Sequence, residues 1–65
     1  MPYREVDRLL RRHGFAAIRQ SGSHVSYRHA DGRRTVVPKH AYDLPRGLVA
    51  AILKEAGIDP DEVRR

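Results

Sequence analysis

The sequence predicts a small α+β domain: helix, three antiparallel strands, helix, with both helices on one face of the sheet. Two observations carry this. Apolar residues recur at helical spacing near both ends of the chain, and the stretch between them breaks into short β-rich runs at Ser21-Gly22-Ser23 and Asp31-Gly32. Two helices cover only one face of so small a sheet, leaving the other for solvent or a ligand.

The first helix is read from Tyr3, Val6, Leu9, Leu10 and His13, an apolar stripe with Arg4, Arg8, Arg11 and Arg12 mostly outside it. Pro2 suits an early helical position, and Gly14 followed by Phe15 reads as a left-handed C-terminal cap. Phe15 to Gln20 is the first predicted strand; Ala16, Ala17 and Ile18 break its alternation, so its faces stay unassigned. His24 to Ala30 is the second. Val25 and Tyr27 share one face, while His24, Ser26 and Arg28 share the other. Asp31-Gly32 predicts a two-residue hairpin turn, and Arg33 to Val37 a third strand closed by Pro38. The second helix is expected from Pro45 to Ala56, with Val49, Ile52, Leu53 and Ala56 buried and Gly57-Ile58 ending it. The tail from Asp59 is charged and expected to add a turn or fray.

Sixty-five residues suffice for one domain, residues 1–65, with a thin core. A chain of this size buries only about 60% of the surface its unfolded form exposes. There are no cysteines, which removes disulfides, thiol nucleophiles and Cys-based zinc sites together. No apolar run approaches the roughly 20 residues of a membrane span, and no signal-peptide core follows Met1. A soluble, cytoplasmic protein is expected. Thirteen Lys and Arg against eight Asp and Glu leave a net charge of +5, which favours a polyanionic partner, above all nucleic acid.

If Val25 and Tyr27 point inward, His24, Ser26 and Arg28 lie on the open face. His24 is the candidate catalytic residue. It follows Gly22 and Ser23, where a glycine admits close backbone approach and exposed N–H groups can hold a phosphate oxygen. An imidazole there suits proton transfer near neutral pH. RNA brings its own nucleophile, the 2′-hydroxyl, so one histidine and nearby cations suffice for cleavage without a metal. The competing reading of His24 is an ordinary surface histidine in a polar loop.

Arg19, Arg28, Arg33, Arg34 and Lys39 cluster in the sheet region, and Arg forks match phosphate geometry. Some of these are expected to be no more than a solvated polar face. His40, after Lys39, can flank the open face; His29 and Tyr27 share core parity. The four histidines lack zinc-ligand spacing, and no carboxylate pair is set for metal-dependent hydrolysis, so neither metal nor cofactor is expected. Ser21 and Ser23 have no general base arranged as a hydrolase triad.

Three strings together resemble the HicA toxin family: Arg-Gln-Ser-Gly-Ser-His-Val (19–25), Tyr-Arg-His-Ala-Asp-Gly-Arg-Arg (27–34) and Val-Val-Pro-Lys-His (36–40). The resemblance begins at Leu-Leu-Arg-Arg-His-Gly-Phe (9–15) and continues through Leu-Pro-Arg-Gly (44–47) and Ile-Leu-Lys-Glu-Ala-Gly-Ile (52–58), covering nearly the whole chain in order. It implies a fold like the double-stranded-RNA-binding domain and a ribosome-independent messenger RNA interferase held inactive by a HicB-type antitoxin. It implies His24 as the catalytic histidine and Gly22 as the motif glycine, with His40 at a recurrent, non-catalytic position. The expected RNA- and phosphate-binding set is Gly22, Ser23, Arg28, Lys39 and His40, on single-stranded RNA. Leu48 departs from the family pattern, which often has a small hydroxyl residue there. Two rival readings stay open. One is a non-catalytic RNA-binding module using the same basic face, which would not need His24 beside Gly22. The other is an inactive domain that keeps only its antitoxin-binding surface.

Overall fold

The computed structural model describes residues 1–39 and 43–64. Its elements are α1 (Tyr3–Arg12), β1 (Phe15–Ser21), β2 (His24–His29), β3 (Arg34–Pro38), α2 (Arg46–Glu55) and a final 3-10 turn (Pro60–Arg64). The strands form one antiparallel sheet in the order β1-β2-β3. This α-β-β-β-α arrangement is that of the double-stranded-RNA-binding-domain-like fold.

The core lies between the helices and one face of the sheet, and the periodicities of the sequence put it there. Val6, Leu9 and Leu10 of α1 and Val49, Ile52 and Leu53 of α2 are buried, each set a stripe of one helix. From the sheet they meet Phe15, Val25, Tyr27 and Val37, with Leu44, Ala56 and Ile58 closing the edges. Helix α2 ends in a paired backbone motif: Gly57 N–H bonds the Lys54 carbonyl at 3.1 Å and Ile58 N–H the Leu53 carbonyl at 2.8 Å. That satisfies carbonyls the helix leaves open and buries Ile58 against the core. The tail is docked as a turn: His13 Nε2 meets Glu62 Oε2 at 2.5 Å, and Val63 packs on the core.

Strand bounds shift by a residue at several ends, with Ser21 joining β1 and Pro38 ending β3. The second hairpin differs from the two-residue turn expected at Asp31-Gly32. Its loop is Ala30-Asp31-Gly32, with Gly32 N–H bonding the His29 carbonyl at 2.9 Å and His29 N–H the Arg33 carbonyl at 2.8 Å. Gly32, at φ +97°, is the left-handed residue that closes a three-residue loop. Asp31 stabilises it by accepting the Arg33 backbone N–H at 3.0 Å.

Strand β1 carries a bulge at Ile18. Ala17 pairs with Tyr27, but the next pair is Arg19 with Ser26, then Gln20 with Val25 and Ser21 with His24. One extra residue on β1 therefore reverses its facing, which is why its sequence shows no clean alternation.

Candidate functional site

The pairing registers build the uncovered face row by row. Ser21, His24 and Pro38 form the row nearest the first hairpin, then Arg19, Ser26 and Val36, then Ala16, Arg28 and Arg34. Residues of each row share a face because paired positions point the same way. His24, Arg19, Arg28 and Arg34 are all exposed, Ser26 is half-buried, and neither helix covers them. Ile18 and Val36, 56% and 47% exposed, give the same region an apolar element. The inward parity of Val25 and Tyr27 is as the sequence predicts: both are buried.

Gly22 and Ser23 are the two residues between paired Ser21 and His24. Gly22 has φ +58°, and a Cβ placed on it would meet nothing within 4 Å. Glycine is there for the backbone turn, and the space above that turn is open. Gln20 braces the turn by donating from Nε2 to the Gly22 carbonyl at 3.1 Å. The Ser23 carbonyl accepts the Lys39 backbone N–H at 2.5 Å, joining the turn to the end of β3. The His24 imidazole therefore starts a rigid middle strand, and no hydrogen bond or ion pair among the described residues engages it.

Of the residues singled out from the sequence, Gly22, Ser23, His24 and Arg28 lie along the hairpin and the open face. Lys39 goes elsewhere. Its ammonium sits 5.7 Å from the ring centroid of Tyr3 on α1, toward the helical side of the sheet. His40 lies outside the described residues. Arg33 is occupied: its guanidinium bonds Asp31 and the Ala56 carbonyl and stands 5.3 Å from the Phe15 ring centroid. His29 is packed edge-on against Phe15, ring centroids 5.2 Å apart, and its Nδ1 accepts the Asp31 N–H at 3.0 Å. Leu48, in the first turn of α2, is 36% exposed, and no side chain caps that helix at Pro45.

Arg19 and Arg34 are the open-face cations that sequence reading did not rank as site residues. The signal for Arg34 is its place opposite Arg28, legible once the second hairpin is closed. Arg19 had no such signal, because the bulge decides its facing.

These features define a class: a small basic domain of the double-stranded-RNA-binding type, whose uncovered sheet face carries a histidine and several arginines that are unpaired among the described residues. The model of the family described as the HicA toxin of bacterial toxin-antitoxin systems matches residues 3–58. The chain belongs to the HicA toxin family and is a toxin of a toxin–antitoxin system, which implies an antitoxin as its partner. No curated protein sequence matches it. Among the described residues, no helix is long and apolar enough to cross a membrane.

Proposed function

We propose that this protein is a metal-independent, ribosome-independent endoribonuclease that cleaves single-stranded messenger RNA in the cytoplasm, with His24 as its catalytic residue. The observation that carries this reading is the exposed His24 imidazole at the Gly22-Ser23 turn, on an open face that also bears Arg28. In the reaction, the 2′-oxygen attacks the adjacent phosphorus, the bond to the 5′-oxygen breaks, and a 2′,3′-cyclic phosphate and a 5′-hydroxyl remain. His24 takes the 2′-hydroxyl proton or delivers one to the departing 5′-oxygen. Backbone N–H groups of the Gly22-Ser23 turn hold a non-bridging oxygen, and Arg28 anchors the neighbouring backbone. A HicB-type antitoxin inhibits by covering this face.

The test is cleavage of end-labelled single-stranded RNA in chelator by wild type and His24→Ala, with analysis of product ends. Wild-type cleavage leaving cyclic phosphates, absent in a folded His24→Ala protein, is the expected result. An active His24→Ala variant overturns the assignment. Salt-sensitive binding by both proteins with no cleavage would instead support an RNA-binding module.

A further inference from the structure

The bulge at Ile18 has a chemical consequence. In an unbulged β1 continuing from the Ala17–Tyr27 pair, Ile18 would oppose Ser26, Arg19 would oppose Val25, and Arg19 would face the helices. The extra residue instead sets Arg19 opposite Ser26, on the face that carries His24. Bulges beside reactive sites commonly re-aim a side chain in this way. The guanidinium has no hydrogen bond or ion pair among the described residues, in contrast to Arg11 and Arg33, which are held by Asp7 and Asp31.

Distances along the sheet distinguish Arg19 from the other open-face arginines. Arg28 stands four residues beyond His24 on the same strand, about 13 Å away at roughly 3.3 Å per residue. That span exceeds one phosphate-to-phosphate step of a single strand, so Arg28 is placed to meet the backbone beyond the phosphate held at His24. Arg19, paired with Ser26, is the diagonal neighbour of His24, at about 7–8 Å between Cα atoms and within reach of a long side chain. Arg34, opposite Arg28, is as remote as Arg28.

We propose that Arg19 is a second catalytic residue, whose guanidinium holds the scissile phosphate beside His24 and stabilises the extra negative charge of the pentavalent transition state. This rests on the ribonuclease reading above. Arg19 stays protonated throughout; the proton of the 2′-hydroxyl leaves through His24 or solvent, and the guanidinium supplies two donors to the non-bridging oxygens. Charge that develops only in the transition state makes the interaction act on kcat more than on KM.

Steady-state cleavage of one labelled single-stranded RNA by wild type, His24→Ala, Arg19→Gln, Arg19→Lys and Arg28→Gln tests this. Arg19→Gln is expected to lower kcat about 100-fold, the loss typical of removing one transition-state donor, with KM nearly unchanged. Arg19→Lys should restore part of it, having the charge without the fork. Arg28→Gln should raise KM and spare kcat. Deleting Ile18 would join the Ala17–Tyr27 and Arg19–Ser26 pairs in unbroken register and leave Arg19 on its face, so activity should survive the deletion as it should Ile18→Ala, and Arg19→Gln is the variant that decides. Wild-type kcat in Arg19→Gln, with His24→Ala inactive, overturns the role of Arg19 alone. Absence of cleavage by wild type overturns the ribonuclease reading and this role with it.

Discussion

The hydroxyl of Tyr27, in the middle strand, donates a 2.6 Å hydrogen bond to Oδ1 of Asp7 on α1. The Tyr3 hydroxyl lies 2.5 Å from the same Tyr27 oxygen, so one buried phenol ties the sheet to two turns of the helix. Burial raises the Tyr27 pKa, helped by its bonds to Asp7 and Tyr3.

Tyr27→Phe should therefore cost stability without touching the open face. Asp7 keeps Arg11 but loses its part-buried phenol donor, and the Tyr3 hydroxyl loses its partner, for a loss of about 1–3 kcal/mol. Urea denaturation should read that change, while kcat stays at the wild-type value because Tyr27 points away from His24. Wild-type protein should also lose stability above the phenol's ordinary pKa of 10.0, since the unfolded Tyr27 ionises there and the folded one does not. Tyr27→Phe should show less of this alkaline loss.

Arg33 and Arg28 should separate in their effects although both sit in the basic sheet region. Arg33 bonds the carbonyl of Ala56, the residue that caps the C-terminus of α2, and closes the second hairpin through Asp31. Arg33→Gln is expected to lower the denaturation midpoint and leave the salt dependence of RNA binding unchanged. Arg28→Gln should leave the midpoint alone and reduce the slope of log K against log salt by about 0.7, the value for one lost phosphate contact on a single strand.

Asp31 predicts an acid effect of definite sign. Its carboxyl is held below the ordinary 3.8, chiefly by the Arg33 backbone N–H, with the Arg33 guanidinium adding to it against the opposing effect of desolvation. A carboxylate depressed on folding contributes stability that is complete above its unfolded pKa and lost as pH falls through the folded one. Thermal melts from pH 5 down to pH 2 should show a smaller drop in Tm for Asp31→Asn than for wild type.

Two glycine substitutions should move stability in opposite directions. At Gly14, φ is +90° and an added Cβ would stand 2.9 Å from His29 Nε2. Gly14→Ala should lose at least the 1–2 kcal/mol typical of a left-handed alanine, roughly speaking, and more if the His29–Phe15 contact must move. Gly47 lies in α2 with open space around it, so Gly47→Ala should gain up to about 1 kcal/mol. Chemical denaturation of both variants beside wild type checks the contrast.

Much of this protein was legible because its elements have one covered side. The stripes Val6-Leu9-Leu10 and Val49-Ile52-Leu53 and the alternation of Val25 and Tyr27 record burial directly. From that alternation follows the outward placement of His24 and Arg28, half of the candidate site. Strand β1 is different. Only Phe15 of its seven residues is buried, so no stripe marks its faces or its bulge.

What the sequence by itself determined is the element order, the two helical core faces, the hairpin positions and the outward parity of β2. Each follows from backbone periodicity and from local turn chemistry, which act over a few residues. The tertiary structure alone decided the facing of Arg19, the three-residue second loop, the turn of Lys39 toward Tyr3 and the engagement of Arg33 with Ala56. Register is set by hydrogen bonds to another strand, and a long cationic side chain goes where carbonyls, carboxylates or rings lie within reach. Neither is a property of the residue's own stretch of chain.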